Sequence, residues 1–251
     1  MLSRLLRPFT APQSYWQTSR THRYSLLFAL PLLALYEALA AFLPHDPRGE
    51  IRNGANVILR SAFYAIGGNH GGMLFGICLI GGSLLIVGRD IRKRGFPTRG
   101  AVFLAMGAES ALLAVAFGFV VGSITARLLG LLAMGGGGVA AMPLPTRLMV
   151  SLGAGLYEEL LFRVILVAAI GQLGQRLLGL SEITAGTVAV IFGAAIFSAF
   201  HYVGPYGDPF ELSSFLFRLI AGLFFSALYL LRGFGITAWT HALYDVFLLT
   251  G

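Results

Sequence analysis

Apolar residues run in long blocks along this chain, broken by short polar or glycine- and proline-rich stretches. A membrane-crossing helix needs roughly 20 mainly apolar residues to cover about 30 Å of hydrocarbon. Seven segments approach that length: 24–43, 71–88, 101–124, 147–171, 184–203, 213–231 and 234–250. Pro44–Pro47 closes the first, Arg89 to Arg94 the second, and Gly135–Gly138 with Pro143 and Pro145 separates the third from the fourth. Gly204–Pro205 and Asp208–Pro209 punctuate the fifth, and helix stops in such company. Residues 51–66 mix Arg52 and Arg60 with Ile51, Val57, Ile58, Phe63 and Tyr64, a pattern that fits a short interfacial helix. The pattern predicts an all-α fold, a polytopic transmembrane bundle of about seven to eight helices with no internal repeat and no dividing linker.

Composition points the same way. Of 251 residues, 57% are hydrophobic and 12% charged, with a mean hydropathy of +0.79. A soluble domain carries about 25% charged residues, so too few charges exist here to cover a water-facing surface. That excludes a cytosolic α/β enzyme, a nucleic-acid-binding domain and a disordered chain. The net charge of +7 does not restore nucleic acid as a partner, because the basic residues flank apolar segments, where they orient a membrane protein. With the N-terminus cytoplasmic, eleven basic residues fall on that side and six on the other, which favours an N-in, C-out arrangement. Cys78 is the single cysteine, so neither an intramolecular disulfide nor a cysteine zinc site can form. The basic first 23 residues lack an apolar core followed by a small-residue cleavage site, and no removable signal peptide is expected.

Ionisable side chains inside spanning segments cost about 2.5–3.5 kcal/mol each on insertion scales, so each calls for a partner or a function. They are Glu37, Glu109, Glu158, Glu159, Arg163, His201, His241 and Asp245. Three local patterns stand out. In Tyr157-Glu158-Glu159-Leu160-Leu161-Phe162-Arg163, Glu159 and Arg163 are four apart and share a helix face, while Glu158 points about 100° away. Arginine neutralises one carboxylate, and the other faces a low-dielectric cavity, where a carboxylate suits general-base work. The plainer alternative has both glutamates pairing with arginines to lock helices. Phe197-Ser198-Ala199-Phe200-His201 puts a histidine at the end of the fifth segment, where an interhelical hydrogen bond is the ordinary role. His241-Ala242-Leu243-Tyr244-Asp245 places His241 and Asp245 on one face of the last helix, either as an oriented histidine, as donors aimed at a carbonyl, or as metal ligands. Together the three patterns can furnish one wet polar pocket with a base, a proton carrier and oxyanion stabilisers. Ser198 has no G-x-S-x-G setting, and neither H-E-x-x-H nor a Walker-type glycine loop occurs.

E-E-x-x-x-R, F-x-x-x-H and H-x-x-x-N/D, in this order and each on its own apolar helix, resemble the CPBP family of intramembrane proteases. That family includes CAAX prenyl endopeptidases, lysostaphin-resistance-like proteins and myxosortases. The matching residues are Glu158, Glu159 and Arg163; Phe197 and His201; His241 and Asp245. Asp245 stands where many members carry asparagine. The resemblance covers about residues 147–250, giving three expected parts in one integral domain: a basic N-terminal segment 1–23, N-terminal helices 24–146 and a catalytic core 147–250. It implies hydrolysis of a peptide bond near the membrane-associated C-terminal part of a substrate protein. Glu158 and His201 then activate water, His241 and Asp245 stabilise the oxyanion, and Glu159, Arg163 and Phe197 support them. It also implies a glutamate mechanism with no cofactor and no metal, zinc being the alternative, and a membrane-anchored protein or peptide substrate in the lipid bilayer. Seventeen arginines against one lysine hint at a bacterial cell membrane. Two other readings remain from the residues alone: a proton-coupled transporter, since buried Glu and His also relay protons, and a non-catalytic immunity or scaffold protein.

Overall fold

A computed structural model of the chain describes residues 14–43, 51–94, 98–129, 142–204 and 207–250. Pro44–Pro47, Gly135–Gly138, Pro205 and the first thirteen residues of the basic N-terminal segment lie outside the described residues. All regular structure among the described residues is helical: α1 (Tyr15–Ser19), α2 (His22–Phe42), α3 (Gly54–Gly67), α4 (Gly71–Arg94) and α5 (Gly100–Leu129) form the first half. One continuous rod follows, made of α6 (Leu144–Gly153), a π-helical segment (Ala154–Val167) and α7 (Ala168–Leu178). Then come α8 (Glu182–Phe200), α9 (Leu212–Arg232) and α10 (Phe234–Thr250). Each predicted spanning segment is helical, with ends moved by a few residues; the fourth grew into the rod.

Local chemistry sets the ends. Ser181 caps α8 by accepting from the Thr184 amide at 3.2 Å, satisfying one of the free donors at a helix start. Asn53 does the same for α3, accepting from Ala55 N at 2.9 Å. Gly179 ends α7 at a φ of +64°, a left-handed turn that side chains resist. Residues 51–66, read as interfacial, form α3, which turns through Gly68–His70 into α4 and packs on it through Phe63 and Phe75, ring centroids 5.4 Å apart.

Among the described residues, five helical stretches are long and apolar enough to cross a membrane: His22–Phe42, Gly54–Lys93, Gly100–Leu128, Glu182–Phe200 and Leu212–Arg232. The rod carries Glu158, Glu159 and Arg163, and α10 has 17 residues. Large apolar side chains point outward along the long helices; Leu104, Leu112 and Phe119 of α5 are each more than 70% exposed. In water such a surface would drive aggregation, and in a bilayer it is the solvated face. The protein is an integral membrane protein.

α10 lies at the centre. Its Ala238 and Ala242 pack with Leu32, Tyr36, Met149, Leu156 and Tyr157. Its Tyr244 packs with Phe117, Val121 and Phe225, and its Ile236 with Tyr24, Phe28 and Met106. Small residues allow this close approach, as they do between membrane helices generally. A methyl group at Gly155 of the rod would sit 2.3 Å from the Ala238 carbonyl oxygen, so only glycine lets the rod and α10 meet there.

Candidate active site

The π-helical segment presents the two glutamates. A π turn widens the helix, and such turns are rare and frequently functional. Tyr157, Glu158, Glu159, Phe162 and Arg163 are all buried along it. Adjacent in sequence, the glutamates face different partners. Glu159 Oε1 pairs with Arg163 at 3.2 Å and accepts from His241 Nδ1 at 2.7 Å. Glu158 Oε1 accepts from the Asn53 side-chain amide at 2.8 Å. Glu158 Oε2 has no hydrogen bond among the described residues and faces His201 Nε2 at 4.0 Å.

His201 caps the C-terminus of α8, and its Nδ1 lies 2.9 Å from the Phe197 carbonyl oxygen. A carbonyl can only accept, so Nδ1 carries a hydrogen and the neutral ring presents a bare Nε2 to Glu158. Two acceptors facing each other at 4.0 Å are matched by a donor shared between them, or by a protonated His201. His241 is clamped instead. Its ring stacks on Phe225 with centroids 4.4 Å apart, and its Nε2 lies 3.8 Å from Asp245 Oδ2. Phe197 joins the two histidines, its ring 5.0 Å from that of His201 and 6.3 Å from that of His241. The Arg163 guanidinium lies 4.3 Å above the same Phe197 ring, a cation–π contact that seals the far side.

The structure therefore brings Glu158, Glu159, Arg163, Phe197, His201, His241 and Asp245 into one cluster. Each glutamate reaches one of the two histidines, and α8 runs unbroken through Gly193. One partner differs from the sequence-based expectation: the firm hold on His241 comes from Glu159 rather than from Asp245, whose contact is more than 1 Å longer. Asp245 is one turn along the same helix, and its reach to the ring is limited by that spacing, whereas Glu159 meets the ring head-on from the rod.

Sequence reasoning missed Asn53. It lies on α3, far from every motif, and its signal was only that of an asparagine before Gly54 at a helix start. Glu37 and Glu109, flagged for their intramembrane charge, lie elsewhere. Glu37 binds Arg52 at 3.0 Å and accepts from the Tyr157 hydroxyl at 2.9 Å. Glu109 binds Arg232 through both oxygens, at 2.6 and 2.7 Å. Ser198 donates to the Phe215 carbonyl at 2.7 Å, which ties up the hydroxyl. Among the described residues no three His, Cys, Asp or Glu side chains gather in a way that could hold a metal ion.

A membrane-embedded helical bundle with buried carboxylates and histidines converging on one point defines the class: a polytopic intramembrane protein with a hydrolase-like polar centre. Residues 140–247 match the family described as Type II CAAX prenyl endopeptidase Rce1-like. All seven clustered motif residues fall inside the matched stretch, and Asn53 falls outside it. No curated protein and no solved structure matches the chain.

Proposed function

We propose that this chain is an intramembrane endopeptidase in which Glu158 activates the attacking water. The observation that carries the reading is the unbonded Glu158 Oε2 opposite the bare Nε2 of His201. A water donating one hydrogen to each acceptor would be held with its oxygen lone pair free to attack. As that oxygen bonds to the scissile carbonyl carbon, Glu158 takes a water proton. The carbonyl oxygen becomes an oxyanion, and a protonated His241, whose Nδ1–H donates to Glu159, also donates to it from Nε2, with Glu159 and Asp245 as counter-ions. The C–N bond then breaks and the proton passes from Glu158 to the leaving amine, which returns the carboxylate.

Zinc is the alternative: catalytic zinc takes three protein ligands, and a histidine whose Nδ1 donates to a carboxylate, as His241 does to Glu159, keeps its Nε2 for a metal. The substrate in this reading is a membrane-anchored protein or peptide cut near its membrane-associated C-terminal part, in a bacterial cell membrane. The test is cleavage of membrane-anchored reporter peptides by the purified protein in proteoliposomes, with and without a chelator. Cleavage that survives chelation and vanishes in Glu158→Gln supports the reading. Activity that chelators remove and zinc restores overturns the metal-free part, and proton flux without proteolysis overturns the whole.

A further inference from the structure

Two parallel links strap the start of α3 to the catalytic turn. Arg52 binds Glu37, and Glu37 accepts from the hydroxyl of Tyr157. Beside it, Asn53 donates to Glu158, the next residue along the rod. The Asn53 amide is itself held from three directions. Its Oδ1 accepts from Ala55 N at 2.9 Å and Asn56 N at 3.4 Å, capping α3. Its backbone N–H donates to the Tyr36 hydroxyl at 3.2 Å. Tyr36 is fully buried against Tyr157, ring centroids 5.0 Å apart. Gly153, at the end of α6, packs so tightly here that a methyl would fall 2.5 Å from the Tyr36 ring and 2.8 Å from Asn53 Cβ.

These contacts decide which end of the amide faces Glu158. Only the carbonyl end can accept from backbone N–H groups, and it does so at the cap; the amino end is left to donate to the carboxylate. Asn53 is 3% exposed, so this bond is shielded from water. The charged and titratable groups around Glu158 are His201 from α8, His241 and Asp245 from α10, and Arg163 on its own helix. Asn53 is the neutral member of that shell and comes from a different half of the chain.

Resting on the peptidase reading above, we infer that Asn53 is a positioning residue: its capped amide pins Glu158 Oε1 and so leaves Oε2 as the oxygen that meets water and His201. A freely rotating carboxylate would share its proton-accepting role between two oxygens, one of them aimed away from the histidine. The N-terminal half of the chain thus completes a site whose other parts all lie within residues 140–247.

The cap and the donor can be separated by substitution. Asn53→Ser keeps a good capping oxygen and removes the donor; Asn53→Asp keeps the cap and the outline and also removes it. Ser181→Ala, which removes the cap of α8, serves as the control for loss of a cap alone. In the full chain in proteoliposomes, Asn53→Ser lowers kcat by roughly 10²-fold, the scale of a misplaced catalytic group, while KM holds. The second readout is independent of proteolysis. The carboxylate infrared band of Glu158, assigned by subtracting the Glu158→Gln spectrum, shifts in Asn53→Ser and stays in place in Ser181→Ala. A folded Asn53→Ser with wild-type kcat, or an unmoved band, overturns the inference. Should the serine variant fail to insert, Asn53→Asp carries the same two readouts. A wild-type chain that cleaves nothing while the band still shifts sinks the peptidase reading and leaves the Asn53–Glu158 contact standing.

Discussion

Two of the carboxylate–arginine clusters among the described residues are finished differently. Where α1, α5 and α9 meet, both oxygens of Glu109 accept from Arg232, and the Tyr15 hydroxyl donates to one of them as well. Arg232 also donates to Ser19 at 2.9 Å and lies 3.5 Å from the centre of the Trp16 ring. In the candidate catalytic cluster Glu159 is shared by Arg163 and His241, yet its Oε2 and the Oε2 of Glu158 accept no hydrogen bond from described residues. A buried acceptor left without a donor costs about 1–3 kcal/mol. The first cluster leaves neither oxygen of Glu109 without a donor, the open atom there being Arg232 Nη1, and reads as a clamp. The second carries it at two oxygens, one of them the Glu158 Oε2 where the proposed chemistry needs a lone pair. Glu109 and Glu158 thus differ in whether the fold has used both of their oxygens.

That contrast can be broken in several ways. Arg163→Ala has the largest expected effect, because it leaves Glu159 facing His241 alone and strips the cation from the Phe197 ring. Removing one partner of a buried pair costs about 3–5 kcal/mol, so thermal unfolding in detergent should show a large loss, with cleavage lost alongside. Full stability in that variant would break the pairing argument. Arg232→Met should show a stability loss of the same order, about 3–5 kcal/mol, but the molecules that remain folded should cleave normally. Reduced activity per folded molecule would mean that the clamp feeds the site.

Asp245→Asn should act mildly. Asparagine keeps an oxygen near His241, and exchanging a charged for a neutral neighbour at 3.8 Å is worth about 1 kcal/mol, or roughly fivefold in kcat. A loss exceeding that of Glu158→Gln would make Asp245 the base. The smallest effect belongs to Tyr15. Burial, with the Glu109 carboxylate adding to it, pushes this phenol from 10.0 up to about 12. Because the folded value is raised, the stability it contributes is complete below pH 10 and is lost as the pH climbs towards about 12. Unfolding followed through that window should show a decline in the wild type that Tyr15→Phe lacks. An identical decline in both would assign it to other groups.

Much of this was legible in the sequence, for physical reasons. Hydrocarbon demands long apolar helices, so the spans announced themselves by length alone. The cost of intramembrane charge marked Glu158, Glu159, Arg163, His201, His241 and Asp245 as residues needing partners, and the four-residue spacing foretold the Glu159–Arg163 pair. The same cost marked Glu37 and Glu109 equally, since periodicity cannot say whether a carboxylate will be saturated by residues far away in the chain. Arg232 lies 123 positions from Glu109, and Asn53 lies 105 from Glu158. The π-helical winding also left no periodic trace, and it is this widened turn that gives His241 to Glu159. Asn53 escaped because its local role, capping α3, fully explains an asparagine at that position.

The central claim is that Glu158, whose open oxygen faces His201, is catalytic and that Glu109, with both oxygens used, is structural. It is tested most directly by measuring Glu158→Gln and Glu109→Gln side by side, for melting temperature in detergent and for cleavage per folded molecule in proteoliposomes. The account predicts that Glu158→Gln melts close to the wild type while losing at least the roughly 10²–10⁴-fold that a general base supplies. It predicts that Glu109→Gln melts lower and cleaves at the wild-type rate. Substantial cleavage by Glu158→Gln, or a catalytic defect in folded Glu109→Gln as deep as that of Glu158→Gln, would contradict it.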